Sequence, residues 1–104
     1  MLTLEQIRED LKDIRYYYAR KQIFDAAVQT VGVAEIIAKV ERYNRAARAA
    51  PPRLFDLYIS LYIKNNTQEG LAMEMGYTTE YIQIQNKKLV LFLQSKLSEG
   101  GVGK

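Results

Sequence analysis

Residues 67 to 89 read TQEGLAMEMGYTTEYIQIQNKKL, two helical patterns interrupted by Gly76-Tyr77-Thr78-Thr79. Thr67 is a favourable N-cap, because its hydroxyl can accept from a free backbone N–H of the first turn. The run QEGLAMEM then predicts a short helix with Leu71, Ala72 and Met75 inward. Gly76 is placed to take positive φ as its C-terminal cap, with Tyr77 packing after it. Thr78 is a second N-cap, and the spacing of Ile82, Leu89, Val90, Leu93 and Leu97 predicts a last helix over about 79–97.

A small residue, a glycine four positions later and an apolar anchor six beyond that is the grammar of a helix-turn-helix. Ala72 lets the second helix approach closely, Gly76 makes the tight turn, and Ile82 pins the second helix to the first.

Upstream, Pro51-Pro52 is the clearest boundary. Proline disfavours the α conformation in the residue before it, so the preceding helix should end by Ala50. Pro52 can itself open a helix, where a missing N–H costs nothing. RLFDLYISLYIKNN after it is apolar nearly all round; the spacing of Leu54, Leu57, Tyr58 and Leu61 predicts a buried central helix. Asn65-Asn66 is turn chemistry.

At the start of the chain, Thr3 and Gln6 form a capping box. Leu4, Ile7, Leu11, Ile14 and Tyr18 follow as a narrow apolar seam, which serves either packing on the next helix or a dimer seam. A helix from 3 to about 29 would be roughly 40 Å long. Tyr16-Tyr17-Tyr18 must point three ways around it. Val33, Ile36, Ile37, Val40, Tyr43 and Ala47 define a second amphipathic helix, which ends in RAARAA. Its alanines are helix formers with little to bury, and the two helices read as an antiparallel hairpin. Arg42, Arg45 and Arg48 form a basic stripe, either a solvated face or a set of phosphate contacts.

The expected architecture is therefore all-α: an N-terminal helical hairpin or arm over 1–50, a three-helix helix-turn-helix domain over 51–97, and a disordered tail over 98–104. GGVGK at the end has no helix after it and is not a phosphate-binding loop.

Composition narrows the chemistry. The 104 residues contain no Cys and no His. Disulfides, thiolate or imidazole metal sites, Cys–His nucleophiles and Ser–His–Asp triads are excluded, and no enzyme is expected. Nothing implies a cofactor, a metal or a small-molecule substrate. The N-terminus turns acidic at once with no apolar signal region, and the longest apolar run, Leu89 to Leu93, is far short of a membrane span of about 20 residues. No membrane association and a cytoplasmic location are expected. Net charge is +3, with nine basic and seven acidic residues in 1–50 against six and five in 51–104. Such an even, slight excess permits nucleic-acid binding without announcing it.

The stretch TQEGLAMEMGYTTEYI, followed by KKL, resembles the fourth region of bacterial sigma-70 family factors, and more closely small phage proteins that share that module. In those proteins a helix opened near a proline and ending in Tyr-Ile precedes a T-x-E-x-[IL]-A-x-x-M-x-Y-[ST] run. Pro52 to Ile63 and Thr67 to Thr78 match that arrangement, and the likeness covers about 51 to 97. It implies a DNA-binding transcriptional regulator of a phage or mobile element, with double-stranded DNA as its partner and RNA polymerase as a further one. Carried over, the major-groove face falls on Thr79, Glu80 and Gln83, with Thr78 on the backbone, Asn86 beside them, and Lys87 and Lys88 on phosphates. Gln pairs with adenine and Glu accepts from cytosine.

This chain departs from the pattern in three places. No Arg stands at Thr79 or Gln83, Gln85 occupies an expected apolar position, and Ile84 an expected base contact. Residues 65–97 carry three Lys and three Glu. With about four phosphate contacts the salt slope would be only about −3.6, so a homodimer with two recognition helices about 34 Å apart is the expected binding form. The alternative is a non-catalytic protein-protein interaction module on a degenerate helix-turn-helix scaffold, supported by Ile84, Leu91 and Phe92 outside the inward set.

Overall fold

A computed structural model describes residues 2–26 and 31–102, and among these the chain is all-α. The elements are α1 (Leu4–Ala19), α2 (Lys21–Ala26), α3 (Val31–Arg48), α4 (Pro52–Tyr58) running into a π-helical turn (Ile59–Ile63), α5 (Gln68–Met75) and α6 (Thr79–Val102).

Local chemistry explains most of the boundaries. The Thr3 hydroxyl accepts from the Gln6 N–H at 3.1 Å while the Gln6 carboxamide accepts from the Thr3 N–H at 2.8 Å, the reciprocal capping box. Pro52 opens α4, as expected where a missing N–H costs nothing. The predicted first helix does not run unbroken to 29. It breaks at Arg20, whose N–H bonds back to the Tyr17 carbonyl, and α2 starts at once. No Gly or Pro marks this break. An aromatic cluster explains it: Phe24 folds back against Tyr16 (5.7 Å between centroids) and Tyr17 (5.5 Å), and the Arg20 guanidinium lies 4.2 Å from the Tyr16 ring. Residues 27–29 lie outside the described set. The segment expected to form the tail is helical as far as Val102.

One hydrophobic cluster joins the expected arm to the expected helix-turn-helix region. Ile7, Leu11 and Ile14 from the seam pack with Val40, Tyr43 and Ala47 of α3, Leu57, Tyr58 and Leu61 of the central helix, and Leu89, Val90 and Leu93 of α6. The seam therefore serves packing within the chain. Three of the four alanines of RAARAA do bury: Ala46, Ala47 and Ala50 are in the core, where small side chains allow neighbouring helices to approach, while Ala49 is exposed. The helix itself stops at Arg48.

The central helix is held by its tyrosines. The Tyr58 hydroxyl donates to Asn44 Oδ1 at 2.6 Å, and Asn44 Nδ2 in turn donates to the Tyr18 hydroxyl at 2.9 Å. Tyr62 donates to Asn86 Oδ1 at 2.6 Å, and Tyr43 to Asp10 Oδ2 at 2.6 Å. Asp10 also takes Lys39 at 3.2 Å, and the same ammonium reaches Asp13 at 2.8 Å. The three tyrosines of Tyr16-Tyr17-Tyr18 do diverge: Tyr16 is exposed, Tyr17 buried and Tyr18 half-buried. After the π-helical turn, where the Lys64 N–H reaches the Ile59 carbonyl at 2.8 Å, Asn65 takes a left-handed φ of 62°. Arg15 of α1 clamps this turn, its Nε donating to Asn65 Oδ1 at 3.0 Å.

Two predictions follow from the tyrosine network. Asn44→Ala leaves the buried Tyr58 hydroxyl without its acceptor and should destabilise the fold by about 1–3 kcal/mol in urea unfolding, whereas Asn44→Leu combined with Tyr58→Phe should recover much of the loss. Burial pushes the Tyr58 and Tyr62 hydroxyls up, and burial reinforced by the Asp10 hydrogen bond does the same for Tyr43. The folded state thus disfavours tyrosinate. Its stability should be intact below the unfolded tyrosine pKa of about 10 and fall as pH rises beyond it. In an alkaline titration these tyrosines should ionise together with loss of helical circular dichroism, after the exposed ones.

Candidate nucleic-acid interface

The turn between α5 and α6 is built from three local devices. The Thr67 hydroxyl accepts from the Gly70 N–H at 2.9 Å and starts α5. Gly76 ends it at φ 76°; its N–H reaches the Met73 carbonyl, and the Tyr77 N–H reaches the Ala72 carbonyl at 2.9 Å. This pair of bonds is a Schellman arrangement, which satisfies carbonyls the helix end would leave open. The Thr78 hydroxyl then accepts from the Tyr81 N–H at 3.1 Å and starts α6. Ala72 and Ile82 are both buried, and α5 packs on α6 across them.

Not every expected contact holds. Met75, read as inward, is 54% exposed, because Leu71 and Ala72 already fill the inward side at the end of this short helix. Tyr77 does not enter the core. It packs at a tilt of 37° on Tyr81 with ring centroids 4.4 Å apart.

The structure brings most of the predicted site residues onto one face. Thr78 is exposed just before α6, Glu80, Gln83, Lys87 and Lys88 are exposed along its first half, and Thr79 is half-buried at its start. Positions 80, 83 and 87 recur at helical spacing and form one stripe. Asn86 departs from it: half-buried, with its carbonyl occupied by Tyr62, it ties α6 to the central helix. Two apolar residues lie on the same exposed surface, Ile84 at 56% and Leu91 at 44% exposure. Phe92, grouped with them on sequence grounds, instead packs against the core. Gln85, in a position expected to be apolar, is half-buried beside α4 in a cleft.

Arg42, Arg45 and Arg48 are exposed at the C-terminal half of α3, where Arg45 and Arg48 occupy its last turn. Cations there complement the helix dipole, so their placement has a structural cause besides any ligand. Among the described residues no group of acidic side chains is arranged to hold a metal ion, and no helix is long and apolar enough to cross a membrane.

The Gly76 turn generates a measurable expectation. No neighbouring atom lies within 4 Å of a Cβ built at Gly76, so Gly76→Ala meets no clash, only the left-handed backbone. It should lower stability by about 1–2 kcal/mol, with Gly76→Asn costing less, as read by thermal or urea denaturation.

No family model, curated protein or solved structure matches this chain.

Proposed function

We propose that this protein is a double-stranded DNA-binding regulator that lays the first half of α6 in the major groove. The observation that carries the reading is the stripe of Glu80, Gln83 and Lys87, exposed on a helix whose start is set by the Gly76 turn and the Thr78 cap. A helix N-terminus presenting hydrogen-bonding side chains beyond a tight turn is the docking geometry of helix-turn-helix readers. The likeness of residues 51–97 to sigma-70 region four and its phage counterparts supports the same reading and makes transcription the process, with RNA polymerase as a partner.

In this proposal Gln83 reads adenine, Glu80 accepts from cytosine, and Lys87 and Lys88 meet phosphates beside the Thr78 backbone. Ile84 sits between Glu80 and Lys88 on the helix, where its side chain suits a thymine methyl. Because 65–97 is electrically neutral, Arg42, Arg45 and Arg48 or a second copy supply the remaining positive field.

The exposed pair Ile84 and Leu91 favours a second reading, in which the α6 face is a protein-docking surface. Apolar side chains of this size left in water commonly mark contacts when they cluster.

Fluorescence anisotropy of a labelled random duplex at about 50 and 200 mM salt separates the two. Under the DNA reading, binding falls steeply between those salts. The double variant Gln83→Ala, Lys87→Ala weakens it while helical circular dichroism is unchanged. Absence of binding by the folded protein at both salts rejects the DNA reading and leaves the docking surface.

A further inference from the structure

On the flank of α6 turned away from the Glu80–Gln83–Lys87 stripe, a cleft of about 330 Å³ opens between α4, the start of the π-helical turn, α5 and α6. Its floor is apolar, made by the buried Leu57, Leu71 and Ile82. One wall is the tilted pair Tyr77 and Tyr81. Clefts of this size with a mostly apolar lining and a few placed polar groups are where proteins hold small molecules.

The polar groups narrow the ligand. Arg53 and Asp56 both line the cleft, one helical turn apart on α4. They form no ion pair with each other among the described residues, although they carry opposite charges. Arg53 instead donates to the Tyr81 hydroxyl at 3.3 Å, so its guanidinium faces the cleft mouth and solvent and not a carboxylate. Ser60 and Gln85 also line the cleft, and neither side chain has a hydrogen-bond partner among the described residues. Gln85 stands where the helix-turn-helix pattern expects an apolar side chain, so a polar group has been set into an otherwise apolar wall.

We infer that this cleft is a binding site for a small zwitterion with a flat apolar body, that is, a free amino acid with an aromatic side chain. The carboxylate meets Arg53 and the ammonium meets Asp56. The ring lies on the Leu57–Ile82 floor against Tyr77 and Tyr81, and Gln85 and Ser60 bond any ring N–H or hydroxyl. Charge-assisted pairs to both groups on the α-carbon give recognition that a purely apolar occupant lacks. The site is independent of whether α6 reads DNA, since none of its residues belongs to the proposed reading stripe.

The chain contains no Trp, so the fluorescence of an indole ligand can be followed by exciting to the red of tyrosine absorption. The full chain is titrated with L-tryptophan, indole, tryptamine and indole-3-propionate. L-Tryptophan should bind in a saturable way and at least about tenfold more tightly than indole. Arg53→Gln should weaken L-tryptophan and indole-3-propionate but not tryptamine; Asp56→Asn should weaken L-tryptophan and tryptamine but not indole-3-propionate. Both residues are exposed, so these variants keep the fold. In methyl NMR spectra the Met75 signal should shift with L-tryptophan while that of Met73, 84% exposed and outside the cleft, stays in place. Ser60→Leu, checked for helical circular dichroism, should fill the cleft and abolish binding. No saturable binding of L-tryptophan up to about 10 mM overturns the proposal. Indole binding as tightly as L-tryptophan, a shift of Met73 equal to that of Met75, or undiminished binding by folded Ser60→Leu would each do the same.

Discussion

The central helix of this protein must bury two tyrosines whose hydroxyls need partners, and the rest of the molecule is arranged around meeting that need. A buried hydroxyl left unpaired costs more than an ordinary hydrogen bond contributes. Tyr58 is satisfied by Asn44 from α3 and Tyr62 by Asn86 from α6. Each bond fixes one neighbouring helix in rotation and height against residues 52–63. Leucines alone would bury a similar area without specifying either. The third tyrosine, Tyr43, does the corresponding service between α3 and α1 through Asp10. Polar bonds at the ends of large apolar side chains thus give this small core its single arrangement.

What was legible in the sequence was local. Thr3, Thr67 and Thr78 cap helices, Gly76 adopts the left-handed turn, Pro52 opens α4, and the seam Ile7–Leu11–Ile14 is buried. All of these depend on residues within a turn or two of each other. The misread features depend on distant or aromatic contacts. The break at Arg20 follows from Phe24 folding back onto Tyr16 and Tyr17, in a stretch with no Gly or Pro. The π-helical turn at Ile59–Ile63 lies in a run apolar on every side, where periodicity has no face to report. Asn86 was placed beside the groove face by the family likeness, and only its bond to Tyr62 reveals its other use. The stripe of Glu80, Gln83 and Lys87 was readable because exposure follows directly from the inward set on the same helix.

The α6 surface combines features that pull in different directions. Its cations are balanced by carboxylates over residues 65–97, so long-range attraction to a polyanion is weak and recognition must rest on close fit. Its centre holds Ile84 and Leu91, which gain from any dry contact, whether a base methyl or another protein. The helix also has two flanks with separate chemistry. One carries the hydrogen-bonding stripe, and the other lines the cleft with Tyr81, Ile82 and Gln85.

The first and last described helices meet at the edge of the core, where Gln94 Nε2 donates to the Leu2 carbonyl at 2.9 Å across 92 positions of sequence. Together with the burial of α1 against the central helix, this places a cover over α4 to α6 that is drawn from a distant part of the sequence. In recombination terms, residues 51–97 are not a portable cassette. A chimera that moved them into another protein would have to bring α1 along or supply an equivalent apolar helix at the same place. Shuffling of this fold between genes therefore has to carry the α1 packing surface with it.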